Sequence, residues 1–336
     1  MNNSTYALTR NTNNPVLSVN DVPWECMSVF NAGVCKYKGS YTMLFRTDTG
    51  AKEAPDARLT KVGLATSVDG INWQVDPEPV FDQTKMREWL GSVYRERFGP
   101  EELFRIYDPR LTIIDDEIYL CFALDTIHGV RGGIAKSTDF RNWNLLHITL
   151  PDNRNMVLFP ERVNGNLVRL ERPFPIVTHH KDSFDIWISE SPDGVHWGNH
   201  QLLLAAHEIP FGNTKCGPGA PPIKTEKGWL TTFHSVYIHE DKQLYSWDRG
   251  AWHKEYMAGL LLLDLNEPWK IIGMSQEPLL RASEPYELEG FRGSVIFPGG
   301  FLLEEDKVKM FYGAADTTVA LAEGKLEDLL AMIQPM

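Results

Sequence analysis

SVDGINW, at Ser67 to Trp73, returns as STDFRNW at Ser137 to Trp143 and as SPDGVHW at Ser191 to Trp197. An Asp followed by a small or polar residue favours a tight turn, because its side chain accepts hydrogen bonds from nearby backbone N–H groups and Gly tolerates positive φ. The Trp that ends each copy supplies a large apolar anchor at the start of the next strand. A turn that recurs in this way predicts a fold built from repeated units.

Five segments have the pattern of a β-hairpin, in which two strand-like runs flank a short polar turn. They are VCKYKGSYTMLF from Val34, LTIIDDEIYLCF from Leu111, ERVNGNLVRLE from Glu161, PIKTEKGWLTTF from Pro222 and FLLEEDKVKMFYG from Phe301. The residues between hairpins leave room for two more strands in each unit, and the repeated turns fall there after the first three hairpins. Four-stranded units repeated around an axis predict an all-β fold, a five-bladed β-propeller. A β-sandwich with coincidental turns is the alternative.

We expect one propeller domain over residues 1–336, with an N-terminal arm at 1–20 and a short C-terminal helix at 322–336. Helical periodicity is confined to EGKLEDLLAMI, which begins at Glu323. This helix is expected to pack beneath a blade or against a neighbouring subunit. The arm is a candidate subunit contact.

Composition excludes several classes of partner. The net charge of −12 argues against nucleic acid and anionic membranes, which both require a basic field. The longest apolar run, LLLLDL at Leu260 to Leu265, is too short to span a bilayer, and MNNSTYALTR at the amino terminus contains no apolar signal region. A cytoplasmic location is therefore expected. The four cysteines have no CxxC or zinc-binding spacing, which favours free thiols.

Residues that flank a hairpin lie together at its open end, so five flanking pairs should converge on one mouth of the propeller axis. Carboxylates gather in the second and fifth units, whereas cations gather in the third and fourth. Arginines together with a lysine predict an oxyanion clamp, because a guanidinium offers paired donors that match phosphate. Ordinary surface or ion-pair roles are the alternative for each residue. The pairs are Asn31 and Arg46, Asp108 and Asp125, Arg154 and Arg172, Lys215 and His234, and Arg292 and Asp316.

Several motifs in order make the chain resemble glycoside hydrolase family 130, which contains β-mannoside phosphorylases and related hydrolases. They are VFNAGVCKY with LFRTD, IYDPRL, NRNMVLFPERVNG with LERP, SPDGVHWGNH, GWLTTFH, LLLLDLNEP and MFYGAADT. The resemblance covers nearly the whole chain and implies a five-bladed propeller. It also implies inverting phosphorolysis of β-mannosides, with β-1,4-linked mannooligosaccharides as the expected substrate and α-mannose 1-phosphate as the product.

The resemblance further implies roles for single residues. Asp108 of YDPR matches the catalytic acid of the family. We expect Asp125, which shares the hairpin of Asp108, to join the substrate-binding residues. The positions that match phosphate-binding residues are Arg154, Arg172, Lys215, His234 and Tyr256, and those that match residues holding the mannosyl unit are Asn31, Arg46 and Asp316.

A phosphorylase requires fewer carboxyl groups than a hydrolase. An inverting glycosidase needs one carboxyl group as acid and a second to activate water, whereas phosphate is already an anionic nucleophile. In the family, as the resemblance implies, the acid acts through the 3-hydroxyl of the sugar. Asp108 must then be protonated, and we expect Asp125 or Asp316 to raise its pKa. Phosphate is a co-substrate, and neither a cofactor nor a metal is expected.

Alternative functions stay open at this point. A β-mannoside hydrolase on the same scaffold and a non-catalytic glycan-binding propeller are the two competitors. The acceptor sugar can be mannose, glucose or N-acetylglucosamine. The aromatic segment 235–256 can be a lid over the acceptor site, or it can form a core or subunit contact. Relatives in the family often form homo-oligomers, and the same is expected of this chain.

Overall fold

The computed structural model describes residues 7–49, 59–93, 102–175, 184–247 and 250–336 of the chain. These residues form a five-bladed β-propeller in which each blade is an antiparallel sheet. The predicted fold class is confirmed, and the β-sandwich alternative is wrong. Within the described residues no helix is long and apolar enough to cross a membrane.

Strand β1 (Thr9–Arg10) belongs to the last blade, and blades one and two follow it in the chain. Blade one consists of β2 (Ser28–Tyr37), β3 (Ser40–Thr49), β4 (Leu59–Ser67) and β5 (Gln74–Val75). Blade two consists of β6 (Leu103–Ile114), β7 (Glu117–Thr126), β8 (Gly129–Ser137) and β9 (Asn144–Ile148).

Blades three to five complete the circle. Blade three consists of β10 (Asn153–Leu158), β11 (Leu167–Pro173), β12 (Ile186–Ser191) and β13 (Gly198–Leu204). Blade four consists of β14 (Lys215–Pro218), β15 (Ile223–Thr225), β16 (Gly228–Ile238), β17 (Lys254–Leu263) and β18 (Ile271–Ser275). Blade five consists of β19 (Ile296–Glu304), β20 (Lys307–Ala314), β21 (Thr318–Lys325) and β1.

The core lies between blades, because successive side chains of a strand point to opposite faces of its sheet. In β3, Met43 packs in a cluster with Phe311 of blade five, whereas its neighbour Leu44 packs in a cluster with Leu111 of blade two. All four side chains are at most 1% exposed. A strand that is apolar on both faces therefore joins one blade to the next.

The repeated Ser-x-Asp turn connects the third and fourth strands of blades one to three. In blade two, the Ser137 hydroxyl accepts hydrogen bonds from the backbone N–H groups of Asp139 and Phe140, and the Asp139 carboxylate accepts from those of Arg141 and Asn142. The same bonds occur in the other two copies. The repeat is therefore structural, as its sequence predicted.

Both ends of the chain become edge strands. The pairing of β1 with β21 closes blade five, and Arg10 forms an ion pair at 2.8 Å with the fully buried Glu287. The described part of the expected arm is thus an integral part of the propeller. At the other end, β22 (Ile333–Pro335) pairs with β18 in blade four.

The described residues contain few helices, and the predicted C-terminal helix is shorter than expected. The C-terminal helix α3 covers only Leu326–Ala331, because the residues before it continue the pairing of β21 with β20 and those after it form β22. The longer helix α1 (Gln83–Val93) was not predicted, although Asp82 caps it and Met86 and Leu90 bury one face. Among the described residues, the other short helical elements are α2 (Pro285–Leu288) and 3-10 turns at Val19–Asp21 and Ala206–Glu208.

The cysteines are free thiols, as predicted. Cys35, Cys121 and Cys216 are buried, and Cys26 is half-buried. Burial raises the pKa of Cys121 to about 12, so this thiol stays protonated at neutral pH.

Candidate functional site

All five blades contribute side chains to one cavity of about 220 Å³. Nine of the ten side chains expected from the hairpin flanks line it, and Asp125 is the exception. Tyr256 lines it as well. The fold thus brings together hairpin-flanking residues that are far apart in sequence. The predicted residues in the lining are Asn31, Arg46, Asp108, Arg154, Arg172, Lys215, His234, Tyr256, Arg292 and Asp316.

Bulges in the first strands of three blades aim side chains into this cavity. Asn31, Asp108 and Asn155 have φ angles of 49°, 51° and 58°, and each lies where the register of its strand shifts. A bulge bends the strand and redirects a side chain, often beside a functional site. Blade packing is close here, since a Cβ atom on Gly33 would lie 2.7 Å from the carbonyl oxygen of Pro109.

The Asp108 carboxylate is held through one of its oxygens. Its Oδ1 accepts hydrogen bonds from Asn31 Nδ2 at 3.0 Å and from Arg46 Nη1 at 3.1 Å. Arg46 is fixed in turn by two hydrogen bonds to Asp48, at 2.9 and 2.6 Å. Within the described residues Oδ2 makes no hydrogen bond, which leaves it available to a substrate.

The structure corrects the expected pKa of Asp108, one of the two carboxyl groups that line the cavity. Burial favours a higher pKa for Asp108, but the charges of Arg46 and Arg110 and the hydrogen bond from Asn31 lower it below its ordinary value. The expectation that Asp125 or Asp316 raises this pKa is wrong, because guanidinium groups surround Asp108. Burial and the nearby Asp108 charge instead raise the pKa of Asp316 to about 6.

A second region of the cavity collects positive charge. Arg172 is 2% exposed and His234 is fully buried, with partly buried Arg154 and Lys215 beside them. No ion pair joins Arg154, Arg172 or Lys215 to a carboxylate in the described part of the chain. Burial and the charge of Arg154 lower the pKa of Arg172 to about 9, and burial and the charge of Arg172 lower that of Lys215 to about 7.

Hydrogen bonding in this cluster is incomplete. Arg172 Nη1 lies 3.1 Å from His234 Nε2, and because a guanidinium only donates, Nε2 must accept and the imidazole proton lies on Nδ1. Burial and the Arg172 charge keep the pKa of His234 well below its ordinary value, so the ring is neutral. His234 Nδ1, Arg154 Nε and Arg172 Nε are buried without a partner among the described residues. Unpaired buried donors beside unpaired cations suit an oxyanion.

An aromatic wall borders the cationic cluster. The Tyr256 ring stacks on that of His234 at 5.9 Å and on that of Trp252 at 6.2 Å, between centroids. Trp252 Nε1 donates to the Gly293 carbonyl at 2.8 Å, and the Arg292 guanidinium lies 5.0 Å from the Trp252 ring. Part of the segment 235–256 thus lines the cavity, as the lid interpretation requires.

Several lining residues were not predicted, because the candidates came from hairpin flanks and from the family motifs. Phe291 directly precedes the flank residue Arg292, and Trp252 lies within the aromatic segment 235–256 of the lid interpretation. Asn155 stands in the quoted NRN motif, next to Arg154, and a polar residue at that place was a usable signal. The lining residues without a predicted role are Phe30, Asn155, Phe291, Val295 and Phe297.

Asp125 is placed behind the cavity lining. Its carboxylate accepts from Arg105 Nε at 2.6 Å and from the Tyr107 hydroxyl at 2.7 Å. The Tyr107 hydroxyl accepts from Arg154 Nη1 at 3.3 Å. The structure therefore connects Asp125 to the cavity only through other side chains.

Known proteins resemble this chain along almost its full length. The glycoside hydrolase family 130 model, described as β-1,4-mannooligosaccharide phosphorylase, matches residues 7–335. A β-1,2-mannobiose phosphorylase of Thermoanaerobacter is 32% identical, over 94% of this chain and 97% of its own. A β-1,4-mannooligosaccharide phosphorylase of Ruminococcus albus is 30% identical, over 96% and 89%. The solved complex of Listeria innocua β-1,2-mannobiose phosphorylase with β-1,2-mannobiose is 26% identical, covers 97% of this chain and 99% of its own, and has a TM-score of 0.78.

Proposed function

The chain belongs to glycoside hydrolase family 130 as a mannoside phosphorylase, and we propose that it transfers the terminal mannosyl unit of a β-mannoside to inorganic phosphate. The products are α-mannose 1-phosphate and a shortened acceptor. The observation that carries this proposal is the cluster of Arg154, Arg172, Lys215 and His234. Among the described residues, three of its buried donors have no hydrogen-bond partner and its cations form no ion pair with a carboxylate. A hydrolase would have no use for such a cluster.

Phosphate supplies the nucleophile in the proposed reaction. The guanidinium groups of Arg154 and Arg172, the Lys215 ammonium and the Nδ1–H of His234 donate to its oxygens. A bound anion also offsets the electrostatic cost of gathering these cations. One phosphate oxygen attacks the anomeric carbon from the face opposite the leaving group, which inverts the configuration.

Asp108 is the proposed acid, and the mannosyl unit is held by Asn31, Arg46 and Asp316. The bond between the anomeric carbon and the glycosidic oxygen breaks while the bond to phosphate forms. The proton passes from Asp108 to the 3-hydroxyl, and the proton of that hydroxyl moves to the leaving oxygen. In the free protein Arg46, Arg110 and Arg154 lower the pKa of Asp108, so the carboxyl group is charged at neutral pH. The negative charge of bound phosphate opposes these cations and raises that pKa, which allows Asp108 to take up the proton it then donates.

For the substrate we propose β-1,4-linked mannooligosaccharides, in line with the description of the family model and with the Ruminococcus albus relative. β-1,2-Linked mannobiose is the second candidate, favoured by the Thermoanaerobacter relative and by the Listeria innocua structure. No cofactor takes part in the proposed chemistry. A cytoplasmic location and a homo-oligomeric state stay predictions.

Incubation of the enzyme with β-1,4-mannobiose, β-1,2-mannobiose and 4-O-β-mannosylglucose, each with and without phosphate, tests the proposal. We expect mannose 1-phosphate only when phosphate is present, and fastest from β-1,4-mannobiose. Preference for β-1,2-mannobiose would contradict the proposed β-1,4 linkage but support the proposed phosphorolysis. Free mannose formed equally with and without phosphate would contradict it.

A further inference from the structure

A row of hydrogen-bonded side chains leads from the surface of blade two to the cationic cluster. Arg105 Nε donates to Asp125 Oδ2 at 2.6 Å, and the Tyr107 hydroxyl donates to Asp125 Oδ1 at 2.7 Å. Arg154 Nη1 donates to the same hydroxyl at 3.3 Å. Asp125 is a quarter exposed, whereas Tyr107 is 2% exposed. The row thus crosses from β6 and β7 of blade two to β10 of blade three.

The direction of each hydrogen bond follows from the groups themselves. A guanidinium can only donate, so the Tyr107 oxygen must accept from Arg154. The hydroxyl has one proton, which therefore goes to Asp125. The Arg105 guanidinium occupies the other oxygen of that carboxylate. Asp125 thereby turns a lone pair of Tyr107 toward Arg154.

Arg154 depends on this contact for its orientation. In the described part of the chain the Tyr107 hydroxyl is the one hydrogen-bond partner of Arg154, whose Nε is buried and unpaired. The ring of Phe174 also lies 5.4 Å from the guanidinium, and this contact restricts the group without fixing its rotation. Arg46, by contrast, is fixed by Asp48 and Asp108.

We infer that Tyr107 and Asp125 are positioning residues for the phosphate site, because together they hold the Arg154 guanidinium toward the phosphoryl oxygens. This inference rests on the proposed function and adds two residues that touch neither substrate. Tyr107 directly precedes Asp108 on the same bulge. The bulge therefore aligns the proposed acid and, through Tyr107, one of the phosphate donors.

The Tyr107→Phe substitution isolates the hydroxyl. The ring lies 4.9 Å from the Arg46 guanidinium and 4.6 Å from that of Arg105, and phenylalanine keeps both contacts. Loss of one hydrogen bond predicts about fivefold weaker phosphate binding, which corresponds to roughly 1 kcal/mol. The KM for phosphate and the KM for mannose 1-phosphate in the reverse reaction should rise by the same factor. The KM for the mannoside and kcat at saturating phosphate should change less than about twofold.

A second variant and a matched control complete the test. In Asp125→Asn, the amide oxygen accepts the hydrogen bond from Arg105, so the NH₂ group faces Tyr107 and donates to its hydroxyl. The hydroxyl proton then no longer points to residue 125, its interaction with Arg154 is weakened, and phosphate binding should become weaker as well. Tyr119→Phe removes the part-buried hydroxyl of a tyrosine at the other end of β7, where it lies 3.5 Å from Glu117, and should leave phosphate binding unchanged.

Titration calorimetry with inorganic phosphate, without mannoside, separates this inference from the proposed function. Weaker binding in both Tyr107→Phe and Asp125→Asn, but not in Tyr119→Phe, would support the positioning role. If both variants bind phosphate with wild-type affinity, the positioning role is wrong, whereas the proposed phosphorolysis by the wild type is unaffected. Equal rises in the KM values for phosphate and mannoside would also overturn the positioning role, because they indicate a general structural role. A wild type that neither binds nor uses phosphate would contradict the proposed function itself.

Discussion

Replacing Arg172 by Met should abolish efficient use of phosphate without destabilising the protein. Arg172 is 2% exposed, is paired with no carboxylate in the described residues, and lies beside the like charge of Arg154. Met has a similar volume and no charge. The substitution therefore removes the anion-binding group while keeping most of the packing.

The substitution should have opposite effects on the stability of the fold and on phosphate binding. Burial and Arg154 lower the pKa of Arg172 to about 9, so folding disfavours its charged form at every pH below that value. At about 1.4 kcal/mol per pKa unit, burying the charge of Arg172 costs on the order of 5 kcal/mol. The substitution relieves this cost but loses some packing and the hydrogen bond to His234. Two charge-assisted hydrogen bonds to phosphate contribute about 3–5 kcal/mol, so the KM for phosphate should rise at least about a hundredfold.

Thermal unfolding at neutral pH, with and without phosphate, measures both effects in one assay. We expect Arg172→Met to unfold at the same temperature as the wild type or higher when phosphate is absent. Phosphate should stabilise the wild type and leave the variant unchanged. Steady-state kinetics should show the loss in the KM for phosphate, with the KM for mannoside nearly unaffected.

An Arg172→Met variant that unfolds many degrees below the wild type yet is still stabilised by phosphate would contradict both expectations. That result would make Arg172 a structural residue and place the anion elsewhere.

Three further predictions concern the acid, the cationic cluster and the repeated turn. Asp108→Asn should lower kcat by about 10²–10⁴-fold but keep the thermal stabilisation by phosphate, since it removes the proton donor and leaves the cluster intact. Because the pKa of Lys215 is about 7 in the free protein, its charge is lost as pH rises through that value. The ratio of KM for phosphate between Lys215→Met and wild type should therefore fall from about tenfold at pH 6 toward one at pH 9. Ser137→Ala leaves the buried N–H of Phe140 and the part-buried N–H of Asp139 without the hydroxyl that accepts from them, and should lower the free energy of unfolding by about 1–2 kcal/mol, measured by urea titration, without changing kcat.

The fold was predictable because its determinants are local. The turn at Ser137 to Trp143 closes through hydrogen bonds within a few residues, and hairpins such as Leu111 to Phe122 carry their own turn signals. Counting such units was enough to specify five blades. The expected helix at 322–336 was shortened because residues 323–325 satisfy their backbone groups by pairing with β20, which local periodicity does not encode.

The composition of the cavity was predictable for a topological reason, whereas its electrostatics were not. Flanking residues of five hairpins must meet at one end of a propeller, and this placed Asp108 and Arg154 in the same cavity. The pKa of Asp108, however, depends on Arg46 and Arg110, whose distances follow from the packing of blades. Asp125 shares the flank of Asp108, but its side chain turns toward Arg105 and Tyr107 behind the lining.

The most direct test of the account is the fate of the anomeric carbon when a β-mannoside is cleaved in oxygen-18-labelled water that contains unlabelled phosphate. Mass spectrometry of the products distinguishes the two nucleophiles. From a β-mannoside whose acceptor is glucose, we expect mannose 1-phosphate without label and no free mannose, because only hydrolysis of such a substrate releases mannose. Labelled free mannose as the main product, formed at a rate independent of phosphate, would contradict it, because water rather than phosphate would then be the attacking group.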